Sequence, residues 1–376
     1  MTSTMAANVD GQTCMHLINH FDVAKYRPPF QYAMGTKIGQ GGLSRGVFQA
    51  TSKTDRTVYA VKCIALGSAC NDRILKQGIK EFKSILRLNQ KAHENVLNYF
   101  YVDIVYFDSF PELRVLMECC QGGNLNQKNQ QLSLQRKRYK QADIVEDFRG
   151  ILKGLCYLHK NKILHRDLKG QNILFSTYGT VKIADFGSMV ELAASTTATY
   201  EVQGGDGTIT YMPPEAFRRE FGSIGRAYDI WSLGCVLLEM LQGHPPRFCR
   251  LETSGNLAHL LRPVEIQAAL MAGEKPWYEK KFGRKNCNDD KLFLKAAEDF
   301  LSQCLRPHAN ERPKAKHLLS HQLVIIKAAA AAALSPEEPT YIGIGNSPTP
   351  FHTHRIMQNN LMLAGAAAMN RSLMFR

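Results

Sequence analysis

The hydrophobic pattern of this 376-residue chain changes character near residue 140. Before that point the apolar runs are short and rich in β-branched and aromatic residues. "RGVFQAT" and "TVYAVKCIAL" flank the polar turn "SKTDR", which predicts a hairpin, and "LRVLMECC" has the continuous apolar character of a buried strand. One interruption, residues 72–88, carries Ile74, Ile79, Phe82, Ile85 and Leu86 at helical spacing behind a cap at Asn71 or Asp72. After residue 140 the apolar positions recur with helical period, in "IVEDFRGILKGLCYLH", "DIWSLGCVLLEMLQG" and "LKAAEDFLSQCL". A β-rich part followed by a mainly helical part predicts an α+β chain with two lobes. The proline pair in "YRPPF" resists helix and strand alike, so residues 1–30 read as an N-terminal extension. Beyond His321 the composition shifts to "KAAAAAALSPEEPTYIGIGNSPTPF", and 324–376 read as an Ala-rich tail, either mobile or continuing a helix through its alanine run.

Composition narrows the function classes. An apolar fraction of 44% with 21% charged residues is ordinary for a soluble globular chain, and no run approaches the roughly 20 apolar residues of a membrane-spanning helix. The N-terminus lacks a basic start followed by an apolar core, so no secretory signal is expected. The ten cysteines form no C-x-x-C pair and no Cys/His ligand spacing, which argues against zinc and fits a reducing compartment. A cytoplasmic chain with nuclear access is expected. The formal charge of +14 is concentrated in "QRKRYK" (135–140) and "EKKFGRK" (279–285). Neither has the aromatic interleaving of a base-stacking surface, so each is a solvated face or a docking site for an acidic partner, and nucleic acid is not expected.

Chemistry is concentrated in four stretches: "YAVKC" around Lys62, "ILHRDLKGQNILF" (163–175), "VKIADFGS" (181–188) and "GTITYMPPE" (207–215). In this order and at these intervals they resemble the protein kinase family across residues 31–323, and the resemblance implies a bilobal fold with a small β-rich N-lobe, one main N-lobe helix and a larger helical C-lobe. It also implies a set of roles. Phosphoryl transfer works by positioning and by neutralising phosphate charge, so the site needs cations, metal ligands and a base. Lys62 would hold the α- and β-phosphates of ATP. Its acidic partner would be Glu81, the only acid between Asp72 and Glu94, unless Glu81 is a surface helix carboxylate. Asp185 and Asn172 would hold Mg2+, and Asp167 would orient the substrate hydroxyl and accept its proton. Lys169 and Thr208 match the serine/threonine form of these motifs. Glu215 and Arg312 would pair beneath the activation segment, and Asp229 would hold the catalytic loop from below.

The stretch "KIGQGGLSRGVFQA" (37–50) has the glycines of a phosphate-covering loop with the wrong count. A G-x-G-x-x-G-x-V loop needs glycine at 44 and valine at 46, where this chain has Ser44 and Gly46. Val47 precedes Lys62 by fifteen residues, the family's spacing, so one extra residue lies among Gly42 to Gly46 and the loop is lengthened, not destroyed. Ile38, Gly39, Gln40, Gly41, Gly42, Gly46, Val47 and Ala60 would enclose the nucleotide, with Gly46 supplying the missing backbone freedom. Met117 would guard the pocket behind the adenine, and Glu118 and Cys120 would offer backbone hydrogen bonds.

"HRDLKGQN", "GTITYMPPE" and "FLSQCLRPHANERPKAKHLLSH" are most similar to the MAP kinase kinase kinase and sterile-20-like branch, where glycine commonly follows the catalytic-loop lysine. This implies a serine/threonine kinase whose protein substrates include MAP kinase kinases. Asn124 and Gln171 stand where basophilic kinases place acids, so no strong preference for arginine near the target is expected. Thr197 or Thr199 would be the phosphorylated switch of the activation segment. Two other readings stay open: a nucleotide-binding pseudokinase scaffold, and a basic-surface binding protein in which catalysis is secondary.

Overall fold

A computed structural model describes residues 23–40, 44–65, 82, 86, 92–107, 110–191, 209–216, 225–248, 276–277 and 288–326. The β-rich part forms one antiparallel sheet from β1 (Tyr32–Gly39), β2 (Gly46–Ser52), β3 (Val58–Ala65), β4 (Tyr99–Phe107) and β5 (Phe110–Glu118), in the order β1-β2-β3-β5-β4. The expected hairpin is β2–β3. Its turn is shaped by Ser52, whose Oγ accepts from the N–H groups of Thr54 (3.2 Å) and Asp55 (3.4 Å), and by Asp55, which accepts from Thr57 N–H at 3.1 Å. "LRVLMECC" lies in β5 as expected. β4 was not anticipated.

Strand alternation divides the sheet's apolar residues between two cores. Ala50, Val61, Cys63 and Leu116 are buried on one face beneath Phe30, Tyr32, Met34, Phe48 and Tyr101. Ala60, Ile64, Leu113, Val115 and Met117 face the other way and join the main core. Ahead of the sheet, a 3-10 turn at Val23–Tyr26 brings Tyr26 edge-on to Phe82, with ring centroids 5.5 Å apart, so part of the N-terminal extension packs on this lobe. Of the helix expected over 72–88 only Phe82 and Leu86 are described, and both are helical. The 324–376 tail lies outside the described residues from position 327 onward.

The helical part contains α1 (Leu125–Leu134), α2 (Gln141–Lys160), α3 (Arg226–Gln242), α4 (Asn288–Cys304) and the short α5 (Ala315–Leu318) and α6 (Gln322–Ile325). α1 begins in a capping box, with Asn124 Oδ1 accepting from Gln127 N–H and Gln127 Oε1 from Asn124 N–H, both at 2.9 Å. α3 is buried continuously from Tyr228 to Met240, which its apolar composition on all sides requires of a central helix. Around it pack Leu155 and Leu158 of α2, Phe300 and Leu301 of α4, and Trp231 at its own centre, all at most 2% exposed. Each such side chain contributes on the order of 2 kcal/mol through burial. No helix among the described residues is long and apolar enough to cross a membrane.

Candidate active site

Three short strands carry the connecting loops: β6 (Ile163–Leu164), β7 (Ile173–Phe175) and β8 (Val181–Ile183), with β9 (Val190–Glu191) paired to β6. The loop between β6 and β7 holds "HRDLKGQN", and "DFG" follows β8. The two are tied by main-chain and ring contacts. Ala184 N–H donates to Asn172 O at 2.9 Å, and His165 Nε2 lies 2.9 Å from Ala184 O. Because Asp167 N–H donates to His165 Nδ1 at 3.3 Å, Nε2 carries the ring proton.

Asp229 of α3 holds this loop from below. Its Oδ2 accepts from His165 N–H at 3.0 Å and lies 2.8 Å from His159 Nε2, while its Oδ1 accepts from Arg166 N–H at 2.8 Å. Burial opposes the charged carboxylate, but these bonds outweigh it and hold Asp229 below its usual range. The loop they constrain is strained: Arg166 has φ 67°, and Asp185 across the site has φ 60°. A non-glycine residue in that region costs of order 1–3 kcal/mol, which the surrounding bonds must offset.

On this base the expected chemical groups converge. Lys62 Nζ lies 2.8 Å from Asp185 Oδ1, and the lysine's charge holds the Asp185 carboxyl down at about 2. Asp167 Oδ2 accepts from Lys169 Nζ at 2.8 Å and from Asn172 Nδ2 at 3.0 Å. Its other oxygen, Oδ1, is buried and has no hydrogen-bond partner among the described residues. Asn172 Nδ2 also donates to Asp167 O at 2.7 Å, so the amide oxygen is what Asn172 has to offer a ligand. Asp185, kept anionic, and Asn172 thus form a pair of hard oxygen donors suited to a small divalent cation, which would complete its shell with phosphate and water oxygens.

The glycine loop rises from β1 and β2. Val47 is the register partner of Lys62, as the fifteen-residue spacing implied. Residues 41–43 at the loop tip lie outside the described residues, and an irregularity marks the loop's return to the sheet. Gly46 pairs with Cys63, and Arg45 N–H, just before β2, also donates to Cys63 O at 2.8 Å, so Arg45 and Gly46 together oppose one residue of β3. That is a β-bulge. Gly46 has φ 150°, and a Cβ there would lie 2.6 Å from Lys37 Cε, so glycine suits both the backbone and the space. Gly39 pairs with Val47, Ile38 is exposed, and Gln40 Nε2 reaches Ser44 O at 3.5 Å.

Met117 is buried opposite Ala60 at the end of β5, where the adenine-side residues were expected. Glu118 N–H donates to Asn98 O at 2.9 Å, and its carboxylate pairs with Lys182 Nζ at 3.0 Å. Burial pushes the Cys120 thiol up to about 12, leaving it an unreactive apolar neighbour. Below the site, Arg312 Nη1 and Nη2 form a fork on the two oxygens of Glu215 at 2.6 and 2.8 Å, and the guanidinium lies 5.0 Å from the Trp231 ring centroid. Gly41, Gly42, Glu81, Thr197, Thr199 and Thr208 lie outside the described residues.

Two contributors were missed from sequence. Glu239, in the apolar run "VLLEML", is fully buried and accepts from Tyr211 Oη at 2.8 Å, with Asn129 Nδ2 3.5 Å away. Burial pushes its carboxyl up to about 7, only partly offset by hydrogen bonds from Tyr211, Asn129 and the Gly170 N–H. The one signal was a carboxylate inside a helix stretch with no polar face. The other is Glu112 of β5, 2% exposed and bonded to Arg45 and Arg114.

Comparison with known proteins agrees with this geometry. The chain is 29% identical over 312 residues to the mitogen-activated protein kinase kinase kinase A of Dictyostelium discoideum, covering 82% of this chain and 29% of that protein. It is 31% identical over 300 residues to the serine/threonine-protein kinase dst1 of the same organism, with 80% and 35% covered. It is 31% identical over 327 residues to the human mitogen-activated protein kinase kinase kinase 4, with 84% and 18% covered. The chain therefore spans about a third or less of each of these relatives. The protein kinase domain matches over residues 32–324, the stretch that contains the sheet, both strained loops and the Glu215–Arg312 fork, and the chain belongs to the protein kinase family.

Proposed function

We propose that this chain is a serine/threonine protein kinase that transfers the γ-phosphate of ATP, with Mg2+, to protein hydroxyls. Family membership carries with it ATP, a divalent metal and protein substrates. The observation that carries the finer reading is the Asp167 carboxylate, fixed at Oδ2 by both Lys169 and Asn172. The Asp167 carboxylate would meet a serine or threonine hydroxyl at the mouth of this loop. It orients that oxygen and takes its proton, while Lys169, bonded to Oδ2, places a positive charge beside the reacting groups. Lys62 contributes its charge to the ATP phosphates. Asn172 and Asp185 would hold the metal, which when bound neutralises phosphate charge. Val47, Ala60 and Met117 would enclose the adenine, with Glu118 and Cys120 offering main-chain groups beside it.

MAP kinase kinases are the proposed substrates, because relatives named as MAP kinase kinase kinases match over most of this chain. The proposed place of action is the cytoplasm, with access to the nucleus. Thr197 or Thr199 is the proposed activating phosphosite. The test is incubation of the wild type and Asp185→Asn with ATP, magnesium and a panel of MAP kinase kinases. Transfer by the wild type alone supports the reading, and a wild type that binds ATP without transferring phosphate would leave a scaffold in its place.

A further inference from the structure

The bulge at Arg45–Gly46 sets the direction of a side chain. It turns the Arg45 side chain to the sheet face opposite the one that carries Val47. There Arg45 Nε donates to Glu112 Oε2 at 2.7 Å and Nη2 to Oε1 at 3.4 Å, while Arg114 Nε donates to Oε1 at 2.8 Å. The guanidinium of Arg45 also lies 4.8 Å from the Phe48 ring centroid and 4.1 Å from that of Phe107. Burial opposes the Glu112 carboxylate, yet the two guanidinium groups outweigh it and hold it below its usual range, so it stays an anion. Such charge-assisted bonds are stronger and more directional than neutral ones.

The position of this cluster gives it a consequence beyond stability. Arg45 is the last residue before β2, so it is where the glycine loop re-enters the sheet. Glu112 lies on β5, the strand that runs on to Met117 and Glu118. One ion-pair cluster thus joins the loop expected to cover the phosphates to the strand expected to flank the adenine. Without it, Gly46 at φ 150° would leave the loop a swivel at its base.

We infer that Arg45 is a positioning residue for the nucleotide, fixing the root of the glycine loop at Arg45–Gly46 through Glu112. The inference rests on the kinase reading above. It predicts a division by ligand: the anchor matters for what lies under the loop and not for the base. Titration calorimetry of wild type, Arg45→Ala and Arg45→Met with ATP plus magnesium and, separately, with adenosine tests it. Arg45→Met keeps the apolar stem against Phe48 and Phe107 and guards against loss of fold. The expected result is ATP binding weakened about tenfold in both variants, the scale of one charge-assisted contact, with adenosine binding within about twofold of wild type. In steady state the KM for ATP should rise by the same factor with kcat nearly unchanged. Unchanged ATP affinity overturns the inference. So does an equal loss for ATP and adenosine, which would mark a general loosening of the sheet, and so does failure of both variants to fold. A wild type that binds neither ligand would instead remove the kinase reading itself.

Discussion

The carboxylate of Glu239 occupies the space that a side chain on residue 170 would need. A Cβ built on Gly170 would lie 2.2 and 2.3 Å from its two oxygens and 2.2 Å from Asn126 Oδ1. Glycine after Lys169 is therefore required by packing from below, not by backbone freedom. Gly170→Ala must displace Glu239 and Asn126, or lift the loop that holds Asp167 and Asn172. A shift of that kind in a site built on positioning should lower kcat at least about tenfold, roughly 1.4 kcal/mol of barrier. Gly225→Ala is the control, since a Cβ there meets nothing within 4 Å among the described residues. Equal turnover in the two variants would show that the contact is unimportant.

Glu239 also gives a pH signature. Its carboxyl is raised in the folded state from the usual 4.5 to about 7. A raised acid binds its proton more tightly folded than unfolded, so between those two values the folded state carries more protons. Its contribution to stability is therefore present below about 4.5 and declines as pH rises toward about 7. Glu239→Gln removes that decline. Denaturant midpoints of wild type and variant should differ in the variant's favour increasingly from pH 5 to about pH 7. Parallel curves would mean that Glu239 does not titrate in this window.

Lys62 and Asp185 make a prediction about chemistry with the fold held fixed. They pair at 2.8 Å, and Asp185 is 40% exposed at its side chain, so replacing Lys62 leaves no deeply buried lone carboxylate. Lys62→Met and Asp185→Asn should abolish phosphoryl transfer, by about a thousandfold or more, because each removes charge from the transferring group. Thermal midpoints should stay near wild type. Near-normal turnover in either variant would overturn the assignment of this pair.

The Glu215–Arg312 fork makes the opposite prediction. The Arg312 side chain is fully buried, and it donates not only to Glu215 but also to Ala227 O at 3.0 Å and Arg306 O at 2.8 Å. Removing one member of a buried pair leaves the other uncompensated, at a cost of about 3–5 kcal/mol. Glu215→Ala should therefore lower the urea midpoint strongly. A change under about 1 kcal/mol would show that water replaces the carboxylate.

What the sequence revealed and what it hid follow from how each feature is encoded. Short-range chemistry was legible: Lys62, Asp167, Asn172 and Asp185 sit in motifs whose order is itself informative, and the contiguous spacing from Val47 to Lys62 became a register pair. β4, "YFYVDIVYF", is apolar or aromatic at most positions, the same continuous-run signal that "LRVLMECC" carries, and it went unread beside the hairpin and the β5 run. The extra residue was expected at the loop tip among Gly42 to Gly46, of which 42–43 lie outside the described residues. The shared pairing of Arg45 and Gly46 with Cys63 is an irregularity that no local sequence pattern marks. Glu112 and Glu239 were missed for a common reason. Arg45 lies 67 residues from Glu112 and Tyr211 28 from Glu239, and although Arg114 is close to Glu112 in sequence, no local pattern announces a carboxylate that is satisfied across the fold.

Met117 gives the last prediction. It is 6% exposed, it ends the apolar alternation Leu113, Val115, Met117 on the inner face of β5, and it faces Ala60 across the ladder. Lys62 lies two residues beyond Ala60 on the same side of β3, so a ligand contacting both Ala60 and Lys62 must pass the Met117 side chain. The thioether therefore sets how far an adenine ring can reach toward the core. Met117→Gly should admit ATP analogues enlarged at the exocyclic amine that the wild type refuses. The side chain is large and buried, so the deletion should also cost about 2–5 kcal/mol of stability, and turnover must be measured below the variant's lowered melting temperature. Competition of each analogue against ATP in a kinase assay reads the effect directly. A gain confined to the enlarged analogues supports the placement, whereas equal refusal by both forms would show that the adenine lies against a different stretch of the chain.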